Sequence, residues 1–234
     1  MGAFHAPYGI FPMLHRVLEP EVMDTAEEAL AYDAMDHAEV NRAFVDDFLA
    51  AGAAAGEVLD LGTGTAQIPV ELCRRDGAFR VTAVDLSANM LHLARAKIEV
   101  AGLAQCIRLS LVDAKQLPYA KDRFSAVMSN SIVHHIPLPG DALAEAWRVL
   151  APGGLVFVRD LLRPADDEEV RRLVDAHAAG ATEHQRRLFD DSLRAALSLD
   201  EIRGFVAELG QDPGHVRQTT DRHWTWTERK SAAG

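Results

Sequence analysis

The sequence predicts a doubly wound α/β fold with a mostly parallel sheet, and three observations carry this prediction. Short apolar runs of strand length follow one another after residue 57, at 58–61, 81–84, 107–112, 124–128 and 155–158. Segments with apolar residues at helical spacing separate these runs, and strands that alternate with helices form βαβ units around a parallel sheet. Polar residues follow successive strands, at the sheet edge where such folds bind their ligands.

Capping residues predict where the helices of this region begin and end. Ser87 is a preferred N-cap residue, and the helix that it begins ends at Gly102, because glycine accepts the left-handed conformation that closes many helices. Asp141 is expected to cap the following helix in the same way.

The C-terminal part continues with helix and then with strand. Residues 165–197 are predicted to be helical, and residues 198–201 form a capping box that begins another helix, which ends at Gly210. Residues 214–228 are predicted to form two short strands.

Composition limits the partners that this protein can have. Its 24 Lys and Arg against 35 Asp and Glu leave a net charge of −11, so we do not expect it to bind nucleic acid. No apolar run approaches the about 18 residues of a membrane span, and the N-terminus lacks the pattern of a secretory signal. Cys73 and Cys106 have no nearby cysteine partners, which argues against disulfides and cysteine-based zinc sites. We expect a cytoplasmic monomer or homodimer with a small-molecule substrate and no membrane partner.

The most informative motif is a glycine-containing turn after the first strand, at 58–65. Gly62 and Gly64 allow a tight turn beside a ligand, because glycine has no Cβ and accepts positive φ. Dinucleotide sites begin in the same way but have a third glycine three residues later, where this chain has Gln67. Asp60 is poorly placed for a pyrophosphate and suits a cationic ammonium group.

Three further strand ends carry polar residues in the same order along the chain. Asp85 follows the second strand, where a carboxylate can accept hydrogen bonds from both hydroxyls of a ribose. Asp113 follows the third strand and could accept a hydrogen bond from an adenine amino group. Asn130 follows the fourth strand between two serines. Four such strand ends in succession predict a ligand cleft.

These ordered motifs together resemble those of the class I S-adenosylmethionine (SAM)-dependent methyltransferases, and most closely those of the ubiquinone/menaquinone-biosynthesis type. The motifs are DLGTG at 60–64, DLS at 85–87, DAKQLP at 113–118 and RVLAPGG at 148–154. The resemblance spans roughly residues 56–160. It implies a Rossmann-like, seven-stranded sheet whose antiparallel strand residues 214–228 can supply. It also implies methyl transfer from SAM to a small-molecule acceptor, with S-adenosylhomocysteine (SAH) as product.

The resemblance further implies which residues hold SAM. The glycine-containing turn would line its methionine end, Asp85 would hold the ribose, Asp113 would meet the adenine amino group, and Asn130 would lie near the transferred methyl. The full predicted set is Asp60, Gly62, Thr63, Gly64, Asp85, Leu86, Met90, Asp113, Ala114 and Asn130.

An N-terminal segment commonly closes the site in this family. Residues 1–50 show amphipathic helical spacing, so we expect a helical lid over 1–50 and a SAM-binding domain over 51–230, within a single domain overall. Tyr32 is the residue of this segment that we expect at the acceptor.

Candidate catalytic residues follow the fourth and fifth strands. Methyl transfer is an in-line displacement, which needs a base only where the nucleophile must lose a proton. His134, His135 and Asp160 are the candidates, and a hydrogen-bonded structural role stays open for each histidine. Arg163 is expected to face the same pocket.

The segment 221–226 is a second candidate contact for the acceptor. Strand alternation places Arg222 and Trp224 on one face and His223 on the other. Either these residues form a wall of the acceptor pocket, with the arginine binding an anionic group, or the segment is an outer strand under the C-terminal helix.

Two other classes of function stay open, and a metal site is not expected. His134, His135, His223 and Asp160 have metal-ligating groups, but their spacing matches no recognised pattern. A non-catalytic SAM-binding or interaction module uses the same fold. An NAD-dependent oxidoreductase is the other alternative, against which Gln67 counts.

Overall fold

The computed structural model describes residues 14–20, 25–35 and 37–232, and a seven-stranded sheet forms the centre of this part of the chain. The strands are β1 (Glu57–Leu61), β2 (Arg80–Asp85), β3 (Ile107–Leu111), β4 (Phe124–Asn130), β5 (Leu150–Leu161), β6 (Val216–Gln218) and β7 (His223–Arg229). Their order is β3-β2-β1-β4-β5-β7-β6. Strands β1 to β5 are parallel, and β7 is antiparallel to both its neighbours. The predicted mostly parallel, seven-stranded sheet is confirmed.

Eight α-helices belong to the same described residues. They are α1 (Ala26–Asp33), α2 (Ala38–Ala50), α3 (Gln67–Arg75), α4 (Ala88–Val100), α5 (Gly140–Val149), α6 (Asp167–His177), α7 (Glu183–Ala195) and α8 (Leu199–Glu208). Short 3-10 helices lie at Val133–His135 and Pro213–His215. None of the helices in the described ranges is long and apolar enough to cross a membrane.

Helices cover both faces of the sheet, as a doubly wound fold requires. On one face α5 and α8 contribute Leu143 and Ile202 to a core with the sheet. On the other face α2, α3 and α4 form a second core, which includes Phe44. Neighbouring residues of β1 divide between the two, with Leu59 in the first core and Val58 in the second.

The helix boundaries differ from the sequence prediction in two places. Ser87 caps α4 as predicted, because its side chain accepts a hydrogen bond from the first turn. The cap predicted for Asp141 is wrong, since α5 begins one residue earlier, after Pro139, and no side chain caps it. The long helix predicted over 165–197 is two helices, because the chain turns at 178–182 and a new capping box begins α7.

Helix α2 packs on the sheet, although the sequence suggested that it belongs to the lid. Phe44 contacts Phe157 of β5 edge to face, with ring centroids 5.1 Å apart. The largely buried Arg159 donates from Nη2 to Asp47 Oδ2 at 2.7 Å and from Nε to Thr225 Oγ1 at 3.0 Å. This arginine therefore joins α2 to β5 and β7.

Strand β7 lies between β5 and β6, and both its faces are covered. Trp224 and Trp226 are fully buried. Trp147 of α5 stacks on Trp226 with ring centroids 5.7 Å apart, and the indole N–H of Trp226 donates to Glu228 at 3.0 Å. The two strands predicted within 214–228 are confirmed.

Candidate active site

A cleft opens at the carboxyl ends of β1, β2 and β4. The strand order reverses direction between β1 and β4, and open α/β sheets bind ligands at such a point. Eight of the ten residues predicted to hold the cofactor line the cleft: Gly62, Gly64, Asp85, Leu86, Met90, Asp113, Ala114 and Asn130. Tyr32 and His135 line it as well, whereas Asp60 and Thr63 do not.

The turn after β1 needs both of its glycines. Gly62 has a φ of +67°, and a Cβ there would lie 1.9 Å from Cγ2 of Ile132 across the cleft. Gly64 has a φ of +55°, and its amide donates to Asp85 Oδ2 at 2.7 Å. A side chain at either position would strain the turn. Glycine at both positions therefore lets the backbone of the turn border the cleft directly.

Asp85 is held for binding by backbone amides. Its Oδ1 accepts from the amide of Ser87 at 2.9 Å, while its Oδ2 accepts from Gly64. Burial raises the pKa of this carboxyl, and the amide hydrogen bonds oppose the rise. Each carboxylate oxygen keeps a further lone pair, so both can still accept from ribose hydroxyls.

Asp60 lies behind the cleft wall. It is 2% exposed, and its Oδ2 has no hydrogen-bond partner among the described residues. Burial raises its pKa to about 7, and the nearby Asp85 charge raises it as well. A cationic ligand group near the turn would give this carboxyl a counter-charge. Thr63 is half-buried within the turn itself.

The other end of the cleft combines one carboxylate with an apolar wall. Asp113 Oδ1 accepts from the amide of Lys115 at 2.8 Å and forms an ion pair with its ammonium at 3.1 Å. Leu86 is 42% exposed, which is unusual for a leucine beside a strand end, and Ala114 also borders the cleft. A flat aromatic ring fits between apolar side chains of this kind.

The loop after β4 is strained where it borders the cleft. Ser131 has a φ of +60°, which is rare for a residue other than glycine, and its amide donates to the carbonyl of Arg159 at 2.9 Å. The side-chain oxygen of Asn130 is buried without a partner in the described structure. It is available to a donor on a bound ligand.

Known proteins of similar sequence include several methyltransferases. Residues 59–158 match the family model described as a methyltransferase domain. Methyltransferase GfsG of Streptomyces halstedii is 34% identical over 159 residues, which are 68% of this chain and 54% of the relative. The ubiquinone/menaquinone biosynthesis C-methyltransferase UbiE of Desulfotalea psychrophila is 40% identical over 111 residues, which are 47% of this chain and 44% of the relative. Over residues 59–158 the chain is therefore similar to methyltransferase domains of this family.

The similarity extends to solved structures of the same fold. A SAM-dependent methyltransferase from Aquifex aeolicus superimposes with a TM-score of 0.62 at 15% identity, over 87% of this chain and 97% of that one. At this identity the likeness shows the Rossmann-like methyltransferase fold. The chain spans about half the length of the curated relatives that it matches.

The solved structure named above is of a SAM-dependent methyltransferase, and the cleft of the present chain has groups that fit SAM. The unpartnered oxygen of Asp60 suits its ammonium group, Asp85 suits its ribose, and the wall with Leu86 and Ala114 suits its adenine. When bound, SAM supplies a methyl group already activated on a sulfonium.

Beside the cleft, the chain buries a paired histidine and aspartate. Nδ1 of His134 lies 2.5 Å from Oδ1 of Asp160, near the end of β5. The amides of Val133 and Leu161 also donate to this carboxylate, at 2.5 and 2.6 Å. Burial alone would lower the pKa of His134 and raise that of Asp160. Their mutual attraction reverses both shifts, so the pKa of the histidine rises and that of the aspartate falls.

A second histidine and a glutamate complete this part of the site. His135 lines the cleft, and its ring centroid lies 4.1 Å from that of His134. Burial lowers the pKa of His135 to about 3, and the neighbouring His134 adds to this, so the ring is neutral at pH 7. Glu19 belongs to the strap, as we name residues 14–20, and its Oε2 lies 3.6 Å from Nδ1 of His135.

Arg16 ties the strap to the loop that carries both histidines. Its guanidinium donates to the carbonyl oxygens of His134 and Ile136 at 3.0 Å and of Pro137 at 3.2 Å. A fourth hydrogen bond, at 2.7 Å, reaches the carbonyl of Ala195 in α7. Because guanidinium geometry is fixed, these bonds together set the position of the loop.

Sequence reasoning missed both Arg16 and Glu19. No motif surrounds them, and the partners of Arg16 lie 118 to 179 residues further along the chain. A buried ion pair or hydrogen bond between such distant residues leaves no local pattern in a single sequence.

Two arginines predicted to face the acceptor lie away from the cleft. Arg163 forms an ion pair with Glu201 at 2.8 Å and lines a separate cavity of about 540 Å³. The guanidinium of Arg222 lies 2.6 Å from Nδ1 of His177 in α6. Neither arginine is brought to the histidine pair.

The two aromatic residues predicted beside Arg222, which are His223 and Trp224, are buried and packed against the rest of the protein. Trp224 is fully buried in the core, so it cannot contact an acceptor from this position. His223 is 8% exposed, its Nδ1 lies 2.9 Å from Thr220 Oγ1, and burial lowers its pKa to about 4. These contacts agree with the alternative of a strand packed under the helices.

Proposed function

We propose that this chain transfers a methyl group from SAM to a hydroxyl oxygen of a low-polarity small molecule. The observation that carries the proposal is the buried pair of His134 and Asp160 beside the cleft, with Nδ1 and Oδ1 2.5 Å apart. A hydroxyl group must lose its proton during methyl transfer, whereas a neutral amine needs no base to react. A histidine held by a carboxylate is the group that such a reaction uses.

In this proposal each residue of the pair has a separate role. His134 accepts the proton of the acceptor at Nε2, because Asp160 occupies its Nδ1. Asp160 fixes the tautomer and stabilises the imidazolium that forms, which agrees with the raised pKa of His134. His135 stays neutral and accepts a hydrogen bond that orients the acceptor. The remaining contribution of the protein is to hold the acceptor oxygen in line with the methyl group of SAM.

The rim of the site favours an acceptor of low polarity. Val17 and Leu18 of the strap are 58% and 50% exposed, and Leu138 is 73% exposed. They lie near one another, because Arg16 and Pro137, the neighbours of Val17 and Leu138, are joined by a hydrogen bond of 3.2 Å. Exposed large apolar side chains at the mouth of a site indicate an apolar partner. Low-polarity quinones, which UbiE is named for, belong to this class of compound.

We also propose that the lid consists of the strap and α1, whereas α2 is part of the core. Tyr32 of α1 lines the cleft, and the next residue, Asp33, forms an ion pair with Lys97 at 2.8 Å. Gln67 donates to the same carboxylate at 3.4 Å. These half-buried contacts join α1 to α3 and α4 and can open without disturbing the sheet. Deleting residues 1–30 should therefore weaken SAH binding or turnover, and unchanged values of both would remove the lid from the proposal.

Calorimetry and a transfer assay test the proposed function. The purified chain should bind SAH and not NADH, and should transfer labelled methyl from SAM to members of a panel of apolar alcohols and phenols. His134→Ala and Asp160→Asn should lower the transfer rate by about 100-fold or more while they preserve SAH affinity. His177→Ala is the matched control, because His177 forms a similar pair with Asp221 at 2.8 Å on the surface.

Each alternative predicts a different result. Binding of NADH alone would support an oxidoreductase, and SAH binding without any transfer would support a non-catalytic binding module. A product whose NMR spectrum places the methyl on carbon or nitrogen would contradict the hydroxyl acceptor. Equal rates for wild type and His134→Ala would contradict the role of the base.

A further inference from the structure

Three metal-ligating groups meet between the strap and the 3-10 helix Val133–His135. One carboxylate oxygen of Glu19 and one ring nitrogen each of His134 and His135 lie within 4.8 Å of one another. Two imidazoles and one carboxylate are the ligand set of open zinc sites, which keep a fourth position for water or another molecule. The chemistry of these groups therefore suits a divalent transition metal.

The spacing of the groups is close to that of a tetrahedral site. Metal–ligand bonds of about 2.0–2.1 Å place neighbouring ligand atoms about 3.4 Å apart. Glu19 Oε2 and His135 Nδ1 are already 3.6 Å apart. Since all three ligand atoms lie within 4.8 Å, the remaining separations must close by about 1.4 Å or less. Small side-chain rotations are enough for that.

Two atoms of the cluster lack partners in the described structure. Oε1 of Glu19 and Nδ1 of His135 are buried without hydrogen bonds. Buried polar atoms are normally satisfied, so such a pair calls for a ligand.

His134 already has the support that metal-binding histidines receive. Such histidines almost always donate their second ring N–H to a carboxylate or carbonyl, which fixes the ring. Asp160 accepts at Nδ1 of His134 at 2.5 Å, so Nε2 is the nitrogen left for a metal. The charged groups that act on His134 are the carboxylates of Asp160 and Glu19 and the guanidinium of Arg16.

We infer that Glu19, His134 and His135 bind a divalent transition-metal cation, for which Zn²⁺ is the best match. The sequence analysis weighed both histidines as metal ligands but did not find Glu19, because Glu19 lies far from them along the chain. A bound cation would occupy Nε2 of His134, the atom that accepts the proton in the proposed function, and would inhibit methyl transfer. The inhibition rests on the proposed function, whereas the binding site does not.

Cobalt provides a probe of this site that is independent of activity. The full-length protein, cleared of metal with a chelator, is titrated with Co²⁺ and followed by visible absorption, and Zn²⁺ is then added as competitor. We expect one Co²⁺ per chain with the absorption bands of a tetrahedral ion, displaced by Zn²⁺. Glu19→Gln and His135→Ala should each weaken Co²⁺ binding at least tenfold. His215→Ala is the control, because His215 and Glu228 form a similar pair at 3.3 Å elsewhere.

SAH calorimetry on the same samples separates a lost metal site from a lost fold. Glu19→Gln should bind SAH as the wild type does, since Glu19 does not line the cofactor cleft. Absence of Co²⁺ uptake by the wild type would overturn the inference, and so would uptake that Glu19→Gln and His135→Ala leave unchanged. Uptake lost in His215→Ala would place the metal elsewhere and overturn it as well. Absence of SAH binding would instead contradict the proposed function.

Discussion

Replacing Asp60 by asparagine should stabilise the ligand-free protein and weaken its affinity for SAH. Asp60 is buried, and its pKa rises from 3.8 to about 7 in the folded state. Between these two values the folded state holds a proton that the unfolded state has released. The free energy of unfolding therefore falls by about 1.4 kcal/mol per pH unit as pH rises, and the loss reaches about 4 kcal/mol above pH 7. The asparagine side chain does not ionise. The free energy of unfolding of Asp60→Asn should therefore exceed that of the wild type by about 2–4 kcal/mol at pH 8.

The same carboxyl should make SAH binding depend on pH in the opposite direction. The ligand ammonium favours the ionised form of Asp60, so affinity should fall as the residue becomes protonated. With a ligand-free pKa of about 7, SAH should bind about eightfold more weakly at pH 6 than at pH 7.5. Asp60→Asn should bind SAH more weakly at both values and lose most of this dependence.

Urea unfolding at pH 5 and pH 8, together with calorimetry at pH 6 and pH 7.5, measures both effects. Asp113→Asn is a suitable control for stability, because the Asp113 side chain is 37% exposed and already has a cationic partner. Equal stability of wild type and Asp60→Asn at pH 8 would refute the argument from burial. A pH dependence of SAH affinity that persists in Asp60→Asn would assign the titrating group elsewhere.

Three further predictions concern the turn, the buried pair and the strap. Gly62→Ala should abolish SAH binding and lower stability by about 1–3 kcal/mol, because its Cβ would overlap Ile132; calorimetry and urea unfolding test this. Gly77→Ala, with no atom within 4 Å, should change neither quantity, and an equal effect of both would contradict the steric argument. Asp160→Asn should lower the free energy of unfolding by about 1–3 kcal/mol, because one buried backbone amide loses its hydrogen-bond acceptor. An unchanged melting temperature would argue against this. Arg16→Ala should raise hydrogen exchange at 134–137 and leave exchange in the sheet unchanged, and raised exchange throughout would instead mean global destabilisation.

The residues that line the cleft could be predicted from the sequence because their determinants are local. Asp85 and Asn130 end their strands and Asp113 lies two residues beyond β3, and right-handed crossovers bring successive strand ends to one edge of the sheet. Gly62 and Gly64 could be recognised because their backbone geometry is demanding. Strand pattern and turn chemistry together were therefore sufficient for this half of the site.

The substrate side was less predictable because it depends on contacts between distant segments. Strand alternation could not show that Trp224 is buried, since β7 lies inside the sheet and Trp147 of α5 stacks on the face that carries both tryptophans. His134 and Asp160 were found as candidates, but their contact depends on how β4 and β5 align. Arg16 and Glu19 reach this region from a segment without any recognisable motif.

The hydrogen bond between Arg16 and Ala195 has a consequence for how the protein matures during synthesis. The two residues are 179 positions apart, so the arginine is synthesised about 10 to 35 s before its partner. The parallel strands β1 to β5 can begin to assemble during that interval, while the strap still has no surface on which to dock. Closure of the acceptor site is therefore a late event, and a bulky tag fused to the N-terminus would interfere with it more than with folding of the sheet.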